Sequence, residues 1–175
     1  MKVRLLEIGR LPKGLSHWIQ ARLPYPFVTG DVVSLRLDLS GCRDIHRNQL
    51  DARCLLDRLP QPAADQLLMA LVPDDLFFSV MTYVFGLTEL GLRRGVLSCH
   101  RLGDELAGRE GVLRQRALVE VVHELGHAVG LVHCPVNECA MHRTLWPEGI
   151  DTKQAELCPS CLATLTNNGY GPPAV

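Results

Sequence analysis

The chain has no apolar run approaching the roughly eighteen residues that a membrane-spanning helix requires, which excludes a span of that kind. Its opening residues, MKVRLLEIGRLPKG, place charges at Lys2, Arg4 and Glu7 and lack the unbroken apolar stretch of a secretory leader. Neither charge sign dominates. Eighteen Lys and Arg stand against nineteen Asp and Glu, so the basic footprint that nucleic acid or anionic lipid selects is missing. No block of like charge reads as an interaction tail, and no internal repeat or low-complexity segment is present. These absences lead to the expectation of a soluble, cytoplasmic monomer in a reducing compartment, with neither nucleic acid nor membrane as partner. At 175 residues the chain is long enough for a single domain with its own core.

Against that background the seven cysteines stand out. Cys134, Cys139, Cys158 and Cys161 lie close together near the C-terminus, and in a reducing compartment such a cluster reads as metal ligands before it reads as disulfides. Cys42, Cys54 and Cys99 are isolated and are expected to act as small buried hydrophobes.

The pattern along the chain predicts strands over 2–8, 32–39, 66–72, 77–85 and 94–99, with helices over 14–23 and 46–59. GLTELGLRRG (86–95) reads as a glycine-rich turn, and 103–111 as a polar loop leading into a long helix over 112–131. This order implies an α/β (α+β) fold: a twisted mixed sheet with helices packed on it. Residues 94–99 are expected to form a free sheet edge to which an extended peptide could add. Beyond Val132 the periodicity dissolves, so the tail is expected to need a metal to hold it.

VVHELGHAVGLVHC (121–134) concentrates the chemistry. At about 100° per residue, Leu118, Val121, Val122, Leu125 and Val129 form the core face of the helix. His123 and His127 lie one turn apart on roughly the opposite side, able to reach one metal ion. Gly130 permits the tight turn that ends the helix and brings His133 to the same ion. Three neutral histidines on Zn²⁺ leave a fourth position for water, as in catalytic zinc sites. Glu124 would sit beside that water as general base and later general acid. A chance match to the five fixed positions of HExxHxxGxxH is on the order of 10⁻⁵ to 10⁻⁴, which makes this a specific signal.

HELGHAVGLVH resembles the long zinc motif of the metzincin metallopeptidases, and Met141 in CAMH is similar to the methionine that lies beneath their zinc. Most metzincins carry no cysteines after the third histidine, whereas this chain reads HCPVNECAM and then CPSC. Four thiolates at these spacings can close tetrahedrally around a structural zinc. The combination resembles the archaemetzincins, and VPDDLFFSVMTYVFGLTELG (72–91) with GVLSCHRL (95–102) is similar to their central sheet region.

The resemblance implies a compact metzincin-like domain over 1–175, its sheet ending in an antiparallel edge strand. Residues 1–133 would supply the sheet and zinc helix, and 134–175 the methionine turn and a zinc-braced part. It further implies two Zn²⁺ per chain, one catalytic on His123, His127 and His133 and one structural on Cys134, Cys139, Cys158 and Cys161. Glu124 would be the catalytic residue, Met141 the turn methionine, and the substrate a peptide or protein. No tyrosine follows Met141 before Tyr170, so a tyrosine ligand is not expected. His142 is expected to be an exposed histidine, and Trp146 to wall the cleft or to pack in the core. Two other readings bear on the same residues: CPSC as a thioredoxin-like redox pair, and the whole chain as a zinc-stabilised peptide- or protein-binding module with little turnover.

Overall fold

In the computed structural model, residues 1–103 and 110–170 are described. A five-stranded sheet runs in the order β2 (Val28–Ser34), β1 (Lys2–Glu7), β5 (Gln66–Val72), β8 (Arg94–Ser98), β7 (Gly86–Thr88). All neighbours are parallel except β7, which runs antiparallel to β8 at one edge. Beside it lies a small sheet ordered β3 (Arg43–Asp44), β4 (Gln49–Asp51), β6 (Leu76–Phe77).

QLLMALV is apolar almost throughout because β5 is covered on both faces. Leu67, Met69 and Leu71 pack with α1 (Leu15–Gln20) and α3 (Glu110–Ala128), while Leu68, Ala70 and Val72 pack with α2 (Ala52–Arg58) on the other side. The period-2 alternation of a strand thus divides one run between two cores.

Several boundaries differ from the sequence expectation. The strand expected over 32–39 is Val28–Ser34, since it is the parallel register with β1 that sets its extent. The expected 46–59 helix is shorter, because Asp51 caps it by accepting from the backbone N–H groups of Arg53 and Cys54 at 2.8 and 3.2 Å. Of the run 77–85, Phe77 ends β6 and only an isolated bridge at Val84 is added. Instead Arg47 donates to the carbonyls of Met81 and Thr82, and Gln49 to that of Thr82, tying this segment to β4 as a loop. The polar loop expected over 103–111 lies mostly outside the described residues.

Two corrections bear on function. Residues 94–99, expected as a free sheet edge, are not one: β8 (94–98) lies between β5 and β7, so the edge on this side of the sheet is Gly86–Thr88, within a segment that its glycines made look like a turn. Cys42 and Cys54 are not separate apolar fillers but form a disulfide, their Cα atoms 5.4 Å apart. Only Cys99 behaves as expected, buried with its thiol pushed up to about 12 by burial. Among the described residues no helix is long and apolar enough to cross a membrane.

α3 is buried around nearly its whole circumference from Arg116 to Gly126. It ends in a Schellman turn, with Gly130 at φ 89°, Leu131 N–H donating to Gly126 O and Gly130 N–H to His127 O, both at 2.9 Å. Met141 is fully buried beneath α3 at Gly126, where a Cβ would run into its Sδ. Gly126→Ala is therefore expected to destabilise the protein by about 1–3 kcal/mol through overpacking. Urea unfolding would measure this, and the smaller Met141→Ala in the same chain should restore part of the loss.

Candidate functional site

The three histidines come together as the motif implied. His123 and His127 Nε2 atoms are 3.2 Å apart, and ring centroids lie 4.7 Å (His123–His127), 5.0 Å (His127–His133) and 5.4 Å (His123–His133) from one another. His123 Nδ1 donates to Ala140 O and His127 Nδ1 to Leu131 O, each at 2.7 Å. A carbonyl oxygen can only accept, so each ring carries its proton on Nδ1 and turns an unprotonated Nε2 toward its neighbours. Burial lowers the pKa of all three rings, most of all that of His123, and the positive charge of Lys153 lowers it further. Two bare nitrogen lone pairs facing each other with no proton between them are a metal's donor set.

Glu124 follows His123 on α3 and is buried. One of its carboxylate oxygens, Oε2, is buried without a hydrogen-bond partner among the described residues, and burial pushes the carboxyl up to about 8. An orphaned acceptor in the cleft that the histidines line fits a cation and its water, whose positive charge would return the group to its ionised form. Room for the carboxylate comes from β7: a Cβ built on Gly86 would lie 2.6 Å from Glu124 Oε1. Gly86 escaped sequence reasoning, because its role depends on a contact with a residue far along the chain.

These groups line one open cleft of about 550 Å³. Its upper lip is the edge strand Gly86–Thr88 with Phe78, Val80 and Tyr83 before it; Arg143 and Leu145 contribute to the lower. The two lips touch where Tyr83 Oη donates to Leu145 O at 2.5 Å. Trp146 is exposed and absent from the cleft, and Leu145 takes the place expected of it. His142 is half-buried rather than exposed and donates through Nδ1 to Cys134 O at 3.1 Å.

The four cysteines also meet: every sulfur lies within 4.8 Å of the others. Cys134 and Cys158 sulfurs lie 3.7 Å apart and those of Cys139 and Cys161 3.8 Å, the distances of unbonded sulfurs, and all four cysteines are free, so CPSC is not a disulfide. Val136 N–H points to Cys134 Sγ at 3.5 Å and Cys158 N–H to Cys139 Sγ at 3.4 Å, the donor pattern that suits thiolates. Cys158 precedes α5 (Pro159–Leu165), and Cys161 lies in its first turn. The donor chemistry fits a tetrahedral zinc.

A cleft along a sheet edge, crossed by a helix that carries HExxH with a third histidine after its glycine stop, defines the class of zinc metallopeptidases. The chain belongs to peptidase family M54, whose model matches residues 40–167. It is 32% identical to an archaemetzincin of Halobacterium salinarum over 94% of its own length and 99% of that protein. It is 35% identical to one of Thermococcus kodakarensis over 95% of its own length and 96% of that protein. Among solved structures, archaemetzincin of Methanopyrus kandleri matches with a TM-score of 0.85 at 28% identity, covering 96% of this chain and 94% of that one. Archaemetzincin of Archaeoglobus fulgidus, complexed with malonate, matches with a TM-score of 0.80 at 28% identity, covering 94% and 99%. The expected fold class is thereby met, and membership of a peptidase family makes peptides or proteins the substrates.

The two clusters should respond differently to acid. Burial raises the thiols of Cys139 and Cys161, so a metal entering there must displace protons that these groups hold at neutral pH. Zinc affinity of the cysteine cluster is expected to fall between about pH 8 and pH 6, roughly tenfold per unit for each proton displaced. The histidines, already neutral, should lose less over the same interval. Chelator-competition titrations on His127→Ala and Cys161→Ser proteins would separate the two curves, and parallel curves would contradict this reading.

Proposed function

We propose that the chain hydrolyses peptide bonds at the histidine cluster, with His123, His127 and His133 holding a catalytic zinc and Glu124 serving as general base and acid. The observation that most supports this is the pair of Nδ1-anchored imidazoles, whose free Nε2 atoms converge beside an unpartnered, buried carboxylate oxygen. Zinc bound there would supply Lewis acidity, polarising the scissile carbonyl and acidifying a water toward a pKa of about 7.

The remaining chemistry belongs to the protein. The free edge of β7 offers main-chain hydrogen bonds to an extended peptide laid along the cleft, a task that residues 94–98 cannot perform from inside the sheet. Phe78, Val80, Val84 and Leu145 receive apolar side chains of that peptide. Glu124 accepts the proton of the attacking water and passes it to the departing amine nitrogen. Met141, packed against Gly126, supports the helix from below.

Cys134, Cys139, Cys158 and Cys161 hold a second, structural zinc in this reading, bracing the segment after His133. The substrate, a peptide or protein, needs only an extended stretch at the cleft.

Glu124→Gln is expected to lower hydrolysis of a peptide library by about 10²–10⁴, the usual worth of general-base assistance, while both zinc ions remain bound. Near wild-type turnover in this variant would remove Glu124 from the mechanism. Elemental analysis should give two zinc ions per wild-type chain after reconstitution.

Cys158→Ser and Cys161→Ser are expected to lower the thermal midpoint more than His133→Ala, because metal binding at the four sulfurs would contribute folding free energy to the segment that they hold together. Unchanged melting of the cysteine variants would count against the structural zinc.

A further inference from the structure

Lys153 lies two residues beyond α4 (Pro147–Ile150) and Asp151, in a part of the tail that carries no motif. Its side chain is nevertheless fully buried. Its ammonium donates to Glu120 Oε1 at 2.6 Å, to His142 O at 3.3 Å and to Ala140 O at 3.5 Å. Glu120 is itself buried and lies on α3, close to one turn before His123 and Glu124. The two carbonyls flank Met141. Ala140 O is also the acceptor that orients the His123 ring.

We infer that Lys153 is a positioning residue for the histidine site: through Glu120 and the backbone around Met141 it holds the Ala140 carbonyl in the place that aims His123 Nε2. This rests on the reading of the three histidines as zinc ligands given above.

The arrangement has a physical logic. α3 and the methionine turn come from distant parts of the sequence, and each must be placed within a few tenths of an ångström for three nitrogens to meet at one point. Packing of Met141 against Gly126 sets the separation of the two but does little to resist sliding. A cation shared by a side-chain carboxylate on the helix and two carbonyls on the turn sets their register. The nearby ion pair of Arg116 with Asp151, bidentate at 2.7 and 2.8 Å, ties the same helix to the same tail further from the site. That second tie helps to hold the two parts together without Lys153, whose ammonium reaches Ala140 O, the acceptor of the His123 ring.

A buried pair broken on one side leaves an uncompensated charge, so single truncation confounds position with stability. The informative variant is Glu120→Met with Lys153→Met, which replaces both charges by apolar side chains of similar length. Its histidine site would be loaded with Co²⁺, with the cysteine site kept in zinc. The expected result is a folded protein that retains the cysteine-site zinc and binds metal at the histidines about 10- to 100-fold more weakly, the usual cost of losing an outer partner of a ligand. The visible Co²⁺ spectrum should change, and kcat should fall while KM for a peptide stays close to wild type.

Wild-type affinity and spectrum at the histidine site would overturn the inference, as would equal weakening of both metal sites, which is what loss of a merely structural pair would produce. If the double variant does not fold, Glu120→Gln keeps an oxygen for the ammonium but weakens the attraction. It should then show the same changes at about three- to tenfold, and no change would again overturn the inference. A wild-type protein whose Co²⁺ spectrum is insensitive to His127→Ala would show instead that the histidine-site reading itself is wrong, and the inference falls with it.

Discussion

Two hydrogen bonds, from His123 Nδ1 to Ala140 O and from His127 Nδ1 to Leu131 O, place the demand that the surrounding structure meets. An imidazole can offer a lone pair to a cation only if its other nitrogen keeps the proton, and a backbone carbonyl enforces that choice. For His127 the carbonyl is local. The Schellman turn at Gly130 returns the chain so that Leu131 O lies under the ring four residues before it. For His123 the carbonyl is remote, on the turn that ends at Met141. Much of the C-terminal part serves to hold that turn: the buried Lys153, the contact between Gly126 and Met141, and the cysteine cluster on either side of it.

The same geometry links the histidine and cysteine clusters through consecutive residues. His133 faces the cleft and Cys134 faces the other sulfurs, with Cys134 N–H donating to Met141 O at 2.9 Å. A zinc among the thiolates would therefore stiffen the backbone that carries the third histidine. A metal there would in this way bear on the histidine cluster without contact with substrate.

On the opposite side of the cleft the sheet meets a different constraint. β7 has only three residues, yet it forms an edge of the sheet and approaches α3 closely enough to cover Glu124. Gly86 satisfies the second requirement because a side chain there would enter the carboxylate. The segment before it is fastened through its carbonyls by Arg47 and Gln49, and Gln49 in turn donates to Asp75, which Arg101 engages through Nε and Nη2. The upper lip is thus positioned by polar contacts from the small sheet.

The histidines, Glu124, Gly130 and the four cysteines were legible in the sequence because their chemistry is written in local spacing. A helical turn sets the i, i+4 pair, a glycine sets the stop, and short intervals set the paired thiols. The strands at β1, β5 and β8 were legible for a similar reason, since period and flanking turns are local properties. What the tertiary structure alone decided depends on residues far apart in the chain. The edge strand beside the cleft is Gly86–Thr88 rather than 94–99, because an edge is defined by which strand lacks a neighbour and not by composition. Cys42 and Cys54 pair because the start of α2 folds back onto the residues before β3. Nothing in local spacing marks Glu120 or Lys153, and it is the fold that encloses them together. Burial is a property of the assembled chain, and it is burial that turns two commonplace side chains into the clamp between the helix and the methionine turn.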